Sequence, residues 1–139
     1  MGRGRKKIPT KIKELQGTLK GERKLENEMS VSLVSAIPSA PEWLSDIGKK
    51  EWTKVCVELF NKQMLHQIDL RLLEAYCNAI SLHIETEIYL REQGRIQEFK
   101  NPDGTIKHTQ AVPHQKIAND ALDRALKIAT QFGFTPSAR

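Results

Sequence analysis

The chain has 139 residues, of which 39% are hydrophobic and 28% are charged, and its formal net charge is +5. This length suits one domain around one core. A mean hydropathy of −0.49 and the lack of a long apolar run exclude a membrane-spanning helix. Two cysteines cannot form a disulfide framework, so we expect a soluble cytosolic protein.

Basic residues are concentrated at the N-terminus. Residues 1–24 hold nine basic and two acidic side chains, a net charge of +7, whereas the remaining residues carry −2. Such a segment is typical of proteins that bind a polyanion, most often nucleic acid, although a solubilising tail would look similar. We expect phosphate contacts from Arg3, Arg5, Lys6, Lys7, Lys11, Lys13, Lys20, Arg23 and Lys24.

Residues 1–40 are expected to form a largely flexible basic arm and linker, because glycines and prolines interrupt regular structure there. Residues 41–132 are expected to form a helical oligomerisation core with a hairpin at about 95–110, and residues 133–139 an exposed tail. The predicted fold is therefore mainly α, with three helices, one of them long and central, and a small β-hairpin.

The first helix is predicted over Asp46–Lys62. Ser45 is a suitable N-cap, and Asp46 lies in the first turn, where a negative charge favours the helix dipole. An apolar stripe begins at Trp52 and repeats at helical spacing. On the other side Lys49, Lys50 and Lys54 form a second candidate DNA-binding patch.

The second helix is predicted from near His66 to about Gln93, followed by Gly94. Its apolar residues occupy more than one side, so more than one neighbour must cover it. A compact three-helix core with a few exposed leucines would also explain the pattern, but we favour self-association. The candidate oligomerisation residues are Leu70, Leu73, Tyr76, Cys77, Ile80 and Ile84.

A hairpin and a third helix follow. Asn101-Pro102-Asp103-Gly104 separates two short alternating segments, and Pro-Asp-Gly favours a tight turn. The third helix is predicted from about Pro113, a residue suited to the first turn, to about Gln131. Its inner face is rich in alanine, which permits a close approach to another helix.

Motifs for catalysis are missing from the sequence. There is no phosphate-binding Gly-x-x-x-x-Gly-Lys-Ser/Thr loop, and no strand precedes the closely spaced Gly2 and Gly4. Cys56 and Cys77 have no partner at metal-ligand spacing, and the four histidines are scattered. We therefore expect no catalytic residues, no metal site, no cofactor and no enzymatic activity.

Several short segments are informative through their order and spacing. They are the basic opening Gly4–Thr10 with Leu15-Gln16-Gly17, Ala40–Ser45 (APEWLS), Gly48–Trp52 (GKKEW), Leu73 with Tyr76, Cys77 and Ala79, and Phe132–Arg139 (FGFTPSAR). Together these segments resemble bacteriophage terminase small subunits. The resemblance covers nearly the whole chain, and no single segment decides it. Ala138 departs from the family's closing Phe-Gly-Leu-Thr-Pro-Ser-Ser-Arg pattern.

The resemblance implies a non-enzymatic protein that assembles into a homo-oligomeric ring and recognises double-stranded viral DNA at the packaging start. It also implies regulation of a large terminase subunit, which carries the ATPase and nuclease, in the host cytoplasm and away from membranes. The alternative from another class is a dimeric helix-turn-helix transcriptional regulator, formed by the first two helices. The predicted length of the second helix argues against it, because a recognition helix is usually short.

Overall fold

The computed structural model describes residue 17 and residues 31–134. The chain divides into two units, residues 1–31 and residues 32–139, and the fold described below is that of the second. The folded unit thus includes residues 32–40, which the sequence suggested to be linker.

Residues 31–134 contain three α-helices and one hairpin, in the order α1 (Asp46–Asn61), α2 (Leu70–Gln93), β1 (Ile96–Lys100), β2 (Ile106–Ala111) and α3 (Pro113–Gln131). The mainly helical fold with a small hairpin is confirmed. The largest displacement is at the start of α2, predicted near His66 and found at Leu70, whereas α1 ends only one residue before the predicted Lys62. The Gln67–Asp69 segment before α2 forms a separate 3-10 turn.

Helix α1 begins where the sequence predicts. The Ser45 hydroxyl accepts a hydrogen bond from the backbone N–H of Gly48, which satisfies one of the free donors of the first turn. The buried face of α1 comprises Gly48, Trp52, Val55, Cys56 and Leu59. The indole N–H of Trp52 donates to the carbonyl of Pro38 at 3.0 Å, so the segment before α1 is fixed against the helix.

The start of the folded unit pairs with the connection between α1 and α2. The backbone N–H of Val34 donates to the carbonyl of Leu65, and that of Gln67 donates to the carbonyl of Ser32. These two hydrogen bonds enclose an antiparallel bridge between Leu33 and His66. The extended character of this segment was predictable, but its strand pairing was not.

Helix α2 packs against both α1 and α3. Leu73 and Cys77 belong to the core cluster shared with α1, and both are fully buried. Helix α3 turns Ala118, Ala121, Ala125 and Ala129 inward, all of them buried. The small side chains let the two backbones come close, and a ring nitrogen (Nδ1) of His83 on α2 lies 3.0 Å from the carbonyl oxygen of Ala118.

The hairpin pairs β1 with β2 antiparallel, in a register that places Phe99 opposite His108, with an irregularity after Phe99. Gly104 in the connecting turn has φ +87°, a conformation that glycine adopts without strain. No helix within residues 31–134 combines the length and the apolar character needed to cross a membrane.

Candidate nucleic-acid and assembly surfaces

The predicted DNA-binding residues fall into two sets. The nine basic residues of the arm, Arg3, Arg5, Lys6, Lys7, Lys11, Lys13, Lys20, Arg23 and Lys24, lie outside the described residues. The other set lies on α1, where Lys50 and Lys54 are exposed and Lys49 is half-buried. Within residues 31–134 none of these three lysines forms an ion pair, so their charges remain available to a polyanion.

The predicted oligomerisation residues occupy different environments. Leu73 and Cys77 are buried in the core of the chain itself, and Leu70 packs against that core. Tyr76 is half-buried, and its hydroxyl donates to a carboxylate oxygen of Glu51 on α1 at 3.2 Å. Ile80 is half-buried and Ile84 is exposed, so the outward-facing part of this set lies further along α2.

That part of α2 lies beyond the cover of α1. Gly48, in the first turn of α1, approaches Ser81, since a Cβ on Gly48 would lie 3.3 Å from the Ser81 hydroxyl oxygen. Ile84 and Ile88 continue the same side of α2 past this point, three and seven residues after Ser81, and both are exposed. The apolar side of α2 thus extends beyond α1, which covers only its first half.

A groove that the sequence did not indicate lies between the end of α1 and the end of α3. Its volume is about 330 Å³, and its lining is mostly apolar. Lys54 and Glu58 of α1 lie along it, as does Lys62, the residue after this helix. Its apolar lining includes Val55, Leu59, Met64, Tyr76, Phe132 and Phe134.

The end of α3 forms one wall of this groove. Gly133 has φ +72°, its N–H donates to the carbonyl of Thr130, and the N–H of Phe134 donates to the carbonyl of Ala129. These two bonds form a Schellman motif, which reverses the chain after the helix. The reversal brings the Phe134 ring to 5.4 Å from the Tyr76 ring in an edge-to-face contact. Residues 133 and 134 therefore pack against the helices, whereas the sequence suggested an exposed tail.

Trp43 is the most exposed aromatic residue among those described, with 58% of its surface accessible. It lies in the turn Pro41–Leu44, in which the N–H of Leu44 donates to the carbonyl of Pro41 at 3.2 Å. Leu44 is 3% exposed and fixes the turn to the core. The sequence suggested this segment as the entry to α1, but not that its indole faces solvent.

The hairpin is connected to the helices mainly through its base. Arg95 binds the carboxylate of Glu87 on α2 and the side-chain oxygen of Gln115 on α3, the latter at 2.6 Å. The hydrogen bond from Arg95 lowers the pKa of Glu87 below its usual range. Every residue of both strands is exposed, including the stacked pair Phe99 and His108, whose ring centres lie 4.5 Å apart.

The titratable groups of the core are held in their neutral forms. Burial raises the pKa of Cys56 to about 11 and that of Cys77 to about 12. Burial, followed by the charge of Glu51 and its hydrogen bond, raises the pKa of Tyr76 to about 12. Residues 31–134 contain no cluster of three or more His, Cys, Asp or Glu side chains that could hold a metal ion.

Comparison with known proteins decides the family. The family described as phage terminase, small subunit, matches residues 48–139, two thirds of the chain. The chain belongs to this family. Comparison with curated proteins and with solved structures gives no match. The match begins in α1 and includes α2, the hairpin, α3 and the groove, so these elements are those of a terminase small subunit.

Proposed function

We propose that this terminase small subunit is a ring-forming, double-stranded DNA-binding protein that recognises viral DNA for packaging. In this proposal it has no catalytic activity and regulates the large terminase subunit, the ATPase and nuclease, in the host cytoplasm. The observation that carries the proposal is the family match over residues 48–139. The uneven charge supports it, because the +7 of residues 1–24 precedes a mildly acidic remainder.

Affinity for DNA would come from many weak contacts acting together. One basic arm binds phosphates with little sequence preference, and its affinity falls steeply with salt because counterions are released. Several arms on one ring raise the effective concentration of each next contact, so avidity exceeds the single-arm affinity by ~10²–10⁴. Lys49, Lys50 and Lys54 on α1 would add a second, shorter set of phosphate contacts.

The helix-turn-helix alternative finds less support in the geometry. Helix α2 has 24 residues, and its buried positions include Leu73 and Cys77 in the core shared with α1. It also contacts α3, where its His83 ring lies near the carbonyl of Ala118. A recognition helix is usually shorter than this, so the length of α2 argues against such a role.

The test is removal of the arm charges without a change in chain length. We expect replacement of all nine basic residues of residues 1–24 by glutamine to weaken binding to linear duplex DNA at low salt. The slope of log affinity against log salt should also flatten, by about 0.9 for each phosphate that the arm no longer neutralises. Fluorescence anisotropy across a salt series measures both quantities.

The matched variant replaces Lys49 and Lys50 by glutamine and leaves the arm intact. We expect it to flatten the slope less than the arm variant does, because it removes fewer charges. Unchanged affinity and slope in the arm variant would refute the role of the arm. A wild-type particle of two subunits by native mass spectrometry would favour the dimeric regulator over a ring.

A further inference from the structure

Trp43 is presented to solvent by a well-fixed turn. Leu44 is buried and Ser45 caps α1, so both residues that follow Trp43 are held in place. The indole is nevertheless 58% exposed, and tryptophan is among the residues that contribute most to protein interfaces. Its neighbours Glu42 and Asp46 are both exposed and acidic. The structure therefore holds a large apolar side chain between two negative charges at the start of α1.

The groove has the complementary features. It is lined mostly by apolar surface, and Tyr76, Phe132 and Phe134 offer aromatic rings to an incoming side chain. Lys54 and Lys62 are exposed along it, and Glu58 between them pairs with Lys62 at 3.9 Å, so the three side chains leave one net positive charge. Its volume of about 330 Å³ leaves space for a large aromatic side chain.

One chain cannot fill its own groove with Trp43. The indole precedes the first residue of α1, whereas Val55 and Leu59 in the groove lie roughly 15–20 Å further along the helix axis. Buried Leu44 prevents the turn from moving along the helix. The projecting side chain and its complementary groove thus lie at opposite ends of one helix. Such an arrangement joins copies head to tail, and head-to-tail contacts generate rings when the rotation closes.

We propose that Trp43 of one copy of this chain inserts into the groove of the next copy, lined by Val55, Leu59, Met64, Tyr76, Phe132 and Phe134. Glu42 and Asp46 then approach Lys54 and Lys62 across the contact. This inference rests on the proposed assembly of the family member into a ring and names the surfaces that join its subunits. It also gives Lys54 a second role beside its contact with phosphate.

The first test removes each half of the contact separately. Trp43→Ala removes the inserted side chain. Met64→Glu, at a residue that is 46% exposed, places a carboxylate in the groove that repels Glu42 and resists desolvation. We expect each variant to weaken self-association about 30-fold or more in sedimentation velocity, so that the 15.8 kDa monomer dominates at low micromolar concentration. The matched controls are Leu126→Ala and Leu126→Glu, at a residue 51% exposed on α3, which should assemble like the wild type.

Mixing the two variants gives the sharper result. The Met64→Glu chain retains Trp43, and the Trp43→Ala chain retains an intact groove. We expect an equimolar mixture to form a particle of two subunits, one of each kind, because each pair can form only one such interface. Native mass spectrometry identifies this mixed dimer and excludes growth beyond it.

Exchanging the charges of an exposed pair tests the contact without changing a buried side chain. We expect Glu42→Lys to weaken assembly a few-fold, and Lys62→Glu in the same chain to restore it, because the contact again pairs opposite charges. A wild-type chain that is monomeric would overturn the proposed ring itself. If the wild type assembles and Trp43→Ala assembles equally well, the ring stands and this contact is refuted.

Discussion

Cys56 and Cys77 are both fully buried, and they belong to the same core cluster between α1 and α2. A thiol reacts as its thiolate, and burial removes water from the charged form. With the pKa of Cys56 raised to about 11 and that of Cys77 to about 12, the native protein holds almost no thiolate near neutral pH. Both residues therefore act as small apolar side chains of the core.

We predict that neither thiol of the native protein reacts readily with a thiol-specific reagent at pH 8. A rise of two pKa units alone lowers the thiolate fraction about 100-fold, and burial slows the reaction further. Ellman's reagent, followed by absorbance with and without denaturant, measures the difference. Ala75→Cys, at an exposed position of α2, is the control that should react at the rate of a free thiol. Rapid labelling of Cys56 or Cys77 in the folded protein would contradict this core.

Single residues also mark the limit of what the sequence could predict. Helical spacing correctly placed Trp52 on the inner face of α1, because periodicity determines which side a residue occupies. It could not separate Leu73 and Cys77, which the chain covers itself, from Ile84, which it leaves exposed. That distinction depends on where α1 begins relative to α2, a tertiary relation that no local pattern contains.

Helices α2 and α3 share the most extensive contact between any two of the described elements. Ala118, Ala121 and Ala125 are fully buried at the contact, so the distance between the helices is set by methyl groups. Little space remains for a larger side chain in such an interface, because protein interiors are close-packed. The alanine face was predictable from the sequence, and its partner α2 is confirmed as a neighbour.

We predict that Ala121→Leu destabilises the folded protein by about 1–3 kcal/mol, since the added carbons must displace α2 or strain a rotamer. Urea unfolding followed by far-UV circular dichroism gives the free energy. The same substitution at Ala75, exposed on α2, should leave the stability nearly unchanged. Equal stability of the two variants would show that α2 and α3 are packed loosely enough to admit a leucine.

Turn chemistry made the ends of the elements predictable. Gly94 was expected to follow α2 and Gly104 to lie in the hairpin turn, and both have positive φ, as does Gly133 after α3. The consequence of the Schellman motif at Gly133 was harder to predict, because it is a contact between Phe134 and Tyr76 on another helix. Two residues distant in sequence meet there, and the groove depends on their meeting.

At the scale of the whole molecule, the charge asymmetry and the family could be predicted from the sequence, but the surfaces of the proposed subunit contact could not. The basic arm follows from counting charges, and the family match over residues 48–139 confirms the family that the sequence resembles. The proposed subunit contact depends on Trp43 being exposed and on a groove formed by three separate segments. Neither the exposure of Trp43 nor the groove produces a periodic pattern in the sequence, so both become visible only in the structure.

We predict that Trp43→Ala, with its arm intact, binds a long duplex ~10²–10⁴ times more weakly than the wild type, because it loses multivalency. Its affinity for a duplex long enough for only one arm should be unchanged, since the arm charges remain. Anisotropy with duplexes of two lengths makes the comparison within one variant. A loss of equal size on both duplexes would mean that Trp43 affects the arm itself rather than the assembly.

The hairpin between α2 and α3 is fixed at its base by Arg95, and its strands are exposed throughout. The strands contribute no buried residue to the core. Changes in the length or the sequence of the hairpin should therefore leave the helices intact. The same independence makes the Pro102–Gly104 tip a convenient place to graft a fluorophore or an affinity peptide. A reporter there would lie away from Trp43 and the groove, the surfaces of the proposed subunit contact.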